Sequence, residues 1–155
     1  MSVNMESWHQ RLTGRLSVPL PPSQAFRLFT PLGERDWAPG WEPRFPAPTV
    51  DDTDPGTAFI TDAHGQVRTW IVVDRESARR IRYANVASGD RASLITVELA
   101  PVATASEVTV TYDVTALSDA GARELAHFAH GYARYLDSWQ EQILAYLRGQ
   151  ASTSL

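Results

Sequence analysis

The chain has no cysteine, which excludes disulfides, thiolate nucleophiles and Cys-ligated metals. It has no lysine either: all 14 basic residues are arginines. Without a side-chain amine that can lose its proton, lysine Schiff-base chemistry is excluded. No stretch approaches the roughly 18 consecutive apolar residues of a membrane-spanning helix. The start, Met1 to Trp8, is polar and lacks the apolar centre of a secretory signal. A cytoplasmic location is therefore expected, with no membrane span. Positive charge is in deficit, with a formal net charge of -4. That argues against a nucleic-acid partner, which needs a basic footprint. Familiar catalytic signatures are missing too: there is no Gly-x-Ser-x-Gly elbow, no Gly-x-Gly-x-x-Gly, no phosphate loop and no His-Glu-x-x-His. An enzyme whose acid–base groups need no fixed local spacing survives this exclusion.

What is present reads as one α+β domain of 155 residues, long enough to bury a sizeable core. From Trp8 to Leu20 apolar residues alternate with polar ones, the period of a half-buried strand. Gly14 falls on the apolar parity, where a bend or bulge is expected. Pro19, Pro21 and Pro22 end the strand. Ser23 is a candidate N-cap for a short helix through Phe29, and Glu34 to Trp37 form a further helical turn. Strand-like runs follow at Thr57–Asp62, Gln66–Arg75, Arg79–Val86, Arg91–Ala100 and Glu107–Ala116. His64 sits in the turn between the first two. Short connections imply an antiparallel meander, since parallel pairs need long crossovers.

Ser118 is placed to cap a long helix running to about Arg148, with Gly149 as its stop. Leu125, Phe128, Tyr132, Leu136, Trp139, Ile143 and Tyr146 recur at helical spacing as one apolar stripe. His127, His130, Arg134 and Glu141 fall on the opposite face, so the two histidines are expected in water and no metal site is assigned. Residues 1–149 are expected to form the domain and 150–155 a flexible tail. A curled sheet cannot follow a straight helix along its whole length, so a cavity is expected between the two layers.

Certain segments carry a resemblance: Phe26-Arg-Leu-Phe-Thr-Pro-Leu-Gly-Glu-Arg-Asp-Trp-Ala-Pro-Gly-Trp-Glu-Pro43, Arg68-Thr-Trp-Ile-Val-Val-Asp74 and Ile81-Arg-Tyr83. Val108-Thr-Val-Thr-Tyr112 with Thr115-Ala-Leu-Ser118 and the helix end from Trp139 to Leu147 extend it. Together they resemble the START-like superfamily, also called SRPBCC, and within it bacterial members of the polyketide cyclase/dehydrase-like kind. The resemblance implies a helix-grip fold: a curved antiparallel sheet of about seven strands wrapped around the C-terminal helix, with two short helices after the first strand. It also implies a pocket without a cofactor, taking a lipid, aromatic or polyketide-like metabolite. Members of the superfamily differ widely in activity, and fold does not dictate function.

Residues suited to line such a pocket are Trp37, Trp41, Trp70, Tyr83, Tyr112, Phe128, Tyr132, Leu136 and Trp139, each of which would serve equally as core packing. The parity of Trp70 is open, because Trp70 and Val72 oppose Ile71 and Val73. Glu34, Tyr83 and Tyr112 are the candidate acid–base groups. Arg68, Arg80 and Arg82 are expected to point outward; an inward arginine would favour a carboxylate or enolate ligand. Three functions remain open. They are a carrier of a hydrophobic small molecule, a cyclase/dehydrase-type enzyme, and a protein-interaction module of the chaperone-activator type. The chain is expected to act as a monomer or homodimer.

Overall fold

The alternation at the start of the chain becomes strand β1 (His9–Val18), whose Leu16 and Val18 turn inward and whose His9, Arg11, Thr13 and Arg15 face solvent. The structure, a computed structural model, describes residues 5–63 and 65–153. His64, the expected turn residue, lies outside the described residues. After β1 come α1 (Pro22–Ala25) and 3-10 turns at Phe26–Phe29 and Gly33–Asp36. Five strands follow: β2 (Ala58–Ala63), β3 (Gln66–Glu76), β4 (Arg80–Ala87), β5 (Arg91–Val102) and β6 (Ala105–Ala116). Helices α2 (Asp119–His130) and α3 (Tyr132–Thr153) complete the chain.

All six strands form one antiparallel sheet in the order β1-β6-β5-β4-β3-β2. About seven were expected. Beside the outer strand β2, Arg44 makes a single isolated bridge to Ile60 that does not grow into a further strand. Pro43, Pro46 and Pro48 flank that bridge and cannot donate to a ladder, so pairing does not propagate. The order closes the meander by returning β1 to the far side of β6, and a bulge between Val72 and Asp74 bends β3.

Four local expectations change. Ser23 caps nothing: α1 begins with Pro21 as its N-cap and Pro22 at the first turn, with no side-chain cap. Gly14 is no bulge, since the β1–β6 register is unbroken through it. It lets the helix close in, because a Cβ there would lie 2.5 Å from Leu136 Cδ1. The single long helix is interrupted at Gly131, whose φ of -98° and ψ of 12° leave the helical region. Its N–H still reaches the His127 carbonyl at 3.2 Å, and Tyr135 N–H reaches the Gly131 carbonyl at 3.0 Å. The result is a kink rather than a turn, at the residue type where kinks concentrate. Gly149, by contrast, does not stop the helix, which continues to Thr153.

Ser118 does cap α2, accepting the Gly121 N–H at 3.0 Å. Tyr132, Leu136, Trp139 and Ile143 bury one stripe of α3 against the sheet, and His127, His130, Arg134 and Glu141 are exposed as the periodicity predicts. No described helix is long and apolar enough to cross a membrane.

The segment between α1 and β2 is irregular but anchored. Arg75 donates to Asp51 at 2.8 Å, Thr53 at 2.9 Å and Asp54 at 3.1 Å. Asp52 accepts the Leu32 N–H at 2.9 Å. Gly33 is the tightest point, where an added Cβ would sit 1.6 Å from the Arg27 carbonyl oxygen. That neighbour is backbone and cannot yield. Gly33→Ala should therefore lower stability by about 3 kcal/mol. Thermal denaturation should show Tm falling by roughly 5–10 °C.

Candidate functional site

The inward faces of β2 to β6 form a floor whose composition follows from the register. One row runs Phe59, Trp70, Asn85, Ser93, Val114, each directly opposite the next. A second runs Val72, Tyr83, Ile95, Tyr112. Thr61 and Arg68 face each other on a third, and Arg91 stands opposite Ala87 at its far side. Trp70 is thus inward; it stacks on Phe59 at 5.6 Å with planes 7° apart and donates Nε1–H to Thr61 Oγ1 at 2.9 Å.

The roof comes from three places. The 3-10 turn at Gly33–Asp36 and its continuation bring Glu34, Trp37, Ala38 and Trp41; α2 brings Phe128; α3 brings Tyr135 and Trp139. Both roof indoles of the loop are pinned to backbone, Trp37 to the Leu28 carbonyl and Trp41 to the Pro31 carbonyl, each at 2.7 Å. Trp37 meets Trp139 edge-on at 5.5 Å, and Trp41 meets Trp70 at 5.3 Å. Pinned rings of this kind hold a shape rather than collapse into it. Between roof and floor lies a cavity of about 350 Å³, within the size of small-molecule sites.

Polar groups in this space are few. Glu34 lines it, and its carboxyl has neither a hydrogen-bond nor an ion-pair partner among the described residues. Burial holds its pKa well above the ordinary value of 4.5, since a carboxylate there would lose hydration. Tyr83 donates its hydroxyl to the Phe29 carbonyl at 2.7 Å, so its proton is committed to the fold. Burial, and then the charge of Glu34, push its pKa well above the usual phenol value. Tyr112 is likewise pushed well up by burial and by the neighbouring Tyr135. Tyr135 lines the cavity although it is 37% exposed, and burial raises its pKa too.

Arg68 is inward, which corrects the expectation that it points to solvent; Arg82 does lie on the outer parity, with Thr96 as its partner at 3.3 Å, and Arg80 pairs with Asp74 at 2.7 Å. The Arg68 guanidinium is held by a neutral group, Gln66 Oε1 at 2.6 Å. No carboxylate among the described residues lies within ion-pair distance of it. Burial, then the charge of Arg91, lower its pKa. Arg91 itself is neutralised by Asp90 at 3.2 Å and covers the Phe128 ring at 5.8 Å.

The structure therefore gathers Glu34, Trp37, Trp41, Trp70, Tyr83, Tyr112, Phe128 and Trp139 around one space. Tyr132 and Leu136 are not among the lining residues. Tyr132 donates to the Val110 carbonyl at 2.6 Å, and Leu136 packs over Gly14. The stripe of a helix is wider than the part that meets a cavity, and Gly14 draws these two onto β1. Sequence reasoning missed Arg68, Asn85, Ser93, Arg91 and Tyr135. For Arg68 a signal existed: it shares the parity of Trp70, so placing the tryptophan inward places the arginine inward.

No protein-family profile matches the chain, and no curated protein matches it significantly. Solved structures do match in shape. Protein MLL2253 from Mesorhizobium loti aligns with a TM-score of 0.66 and 19% identity, covering 88% of this chain and 97% of that one. CalU16 from Micromonospora echinospora gives 0.61 and 18%, covering 95% and 97%. The Zhui aromatase/cyclase from a Streptomyces strain gives 0.63 and 16%, covering 88% and 92%. The chain therefore shares the helix-grip fold of these structures, an antiparallel sheet packed on a long C-terminal helix.

Glu34 supplies a pH test. The folded protein holds this proton more tightly than the unfolded chain does. Its contribution to stability is therefore full below pH 4.5 and is lost as pH rises through the raised value. Glu34→Gln removes that dependence. Melting curves recorded from about pH 5 upward should show wild type losing Tm relative to the Gln variant; parallel curves would overturn the raised pKa.

Proposed function

We propose that the cavity binds a flat, mostly apolar metabolite, aromatic or polyketide-like, that carries carbonyl or enol oxygens. The supporting observation is its lining: aromatic walls enclosing one unpaired carboxyl, Glu34, and one arginine without a carboxylate partner, Arg68. Walls of this kind select flat apolar skeletons, and the few polar groups select orientation. An unpaired guanidinium suits an enolate or carboxylate oxygen. The aromatase/cyclase named among the similar structures agrees with such a ligand. An interaction module of the chaperone-activator type would have a filled interior, and the open cavity counts against it.

Between carrier and enzyme, Glu34 favours the enzyme of cyclase/dehydrase type. A carrier needs no cavity carboxyl whose pKa burial raises, whereas an acid that holds its proton more tightly than an ordinary carboxyl is what proton transfer can use. Water loss from a β-hydroxy ketone can run through this one group. Neutral Glu34 protonates the departing hydroxyl, which leaves as water. In the same step its other oxygen takes the proton from the carbon next to the carbonyl, so the acid is restored and the double bond forms. Arg68 faces the charge that develops on the carbonyl oxygen during this exchange. The pinned indoles keep the skeleton flat and exclude water, so much of the rate comes from positioning.

Two measurements test this. Native mass spectrometry of protein purified from its own host should show a bound small molecule, and a clean apo mass would count against both versions. With that molecule in hand, Glu34→Gln should bind it within about threefold of wild type yet convert it roughly 10²–10⁴-fold more slowly. Unaltered conversion would leave the carrier version standing.

A further inference from the structure

Asn85 is a group on the cavity floor that no described residue uses. The residue is 3% exposed, and its Oδ1 is buried without a hydrogen-bond partner. Neither end of the amide is engaged by a described residue. A buried carbonyl left in this state has lost its hydration with nothing in return, and such orphans are rare in folded chains. They concentrate where a chain gives up local consistency for function.

The surroundings define what would fit. Ser93 stands directly opposite Asn85 across β4 and β5, is 8% exposed and lines the same space. Its hydroxyl has no partner among the described residues either. On the other side Trp70 opposes Asn85, with its indole N–H already taken by Thr61. Trp70 therefore offers only a ring face, while Asn85 and Ser93 offer unused, uncharged hydrogen-bonding capacity beside it. The guanidinium of Arg68 lies one row away along β3, where an anionic oxygen would go instead.

We propose that Asn85, supported by Ser93, is a specificity-determining seat for a neutral hydroxyl of the ligand, a phenol or enol O–H that donates to Asn85 Oδ1 while the skeleton lies against Trp70. The assignment rests on the cavity-binding reading above and narrows the ligand class. The metabolite carries at least one protonated hydroxyl, besides any oxygen presented to Arg68.

Calorimetric titration with β-naphthol and β-methylnaphthalene tests this, since the two differ only by hydroxyl against methyl. Partition into an apolar cavity favours the methyl compound, because burying an unpaired hydroxyl is costly. The expected result is the opposite: wild type binds β-naphthol about tenfold more tightly, and Asn85→Leu reverses the order. The same variant should melt at the wild-type temperature or above, because it removes an unpaired acceptor. A methyl preference in wild type, or a hydroxyl preference surviving in Asn85→Leu, overturns the assignment while leaving cavity binding intact. A fall in Tm of more than about 3 °C overturns it as well, by showing that the amide is satisfied within the fold. If neither compound binds wild type, the cavity-binding reading fails and this one fails with it.

Discussion

Two indole hydrogen bonds carry the architecture of this cavity. Trp37 and Trp41 hang from the Leu28 and Pro31 carbonyls, so the loop that holds them cannot slide inward to fill the space beneath. At the opposite end the absence of a side chain at Gly14 lets Leu136 approach β1. One end of the helix–sheet interface is sealed and the other is propped. The gap follows from that difference, because close packing would otherwise remove a void of this size.

Keeping a space open has an electrostatic consequence. Groups that face it are withdrawn from water, yet the protein does not satisfy all of them. Burial pushes the pKa of Glu34 well above 4.5. Arg68 keeps its charge but is steadied only by a neutral amide. Asn85 stays unpaired. Elsewhere the chain treats polar groups differently: Tyr83, Tyr132 and Ser106 each donate to a backbone carbonyl, and Arg75 is shared among three partners. The contrast separates groups that serve the fold from groups that serve the space.

The likeness to helix-grip proteins of known structure spans almost the whole chain, while identity stays at 16–19% in the three described. Shape can be shared at that level because it depends on period, parity and turn positions, which many residues satisfy. The lining of a cavity depends on the identity of single side chains, so it varies freely beneath a constant backbone.

Alternation and turn residues in the amino-acid sequence were enough to place the strands, the Ser118 cap, the solvent face at His127 and His130, and most of the aromatic lining. Each is a local property, decided by a residue and its near neighbours along the chain. Only the folded arrangement decided that Arg68 turns in, that Tyr132 and Leu136 pack on β1 and β6 rather than line the cavity, and that the long helix is interrupted at Gly131. Each of these depends on what faces the residue across a layer. The three prolines around Arg44 show the boundary: they visibly disfavour a strand, but that the site would keep one bridge to Ile60 depended on where β2 came to rest.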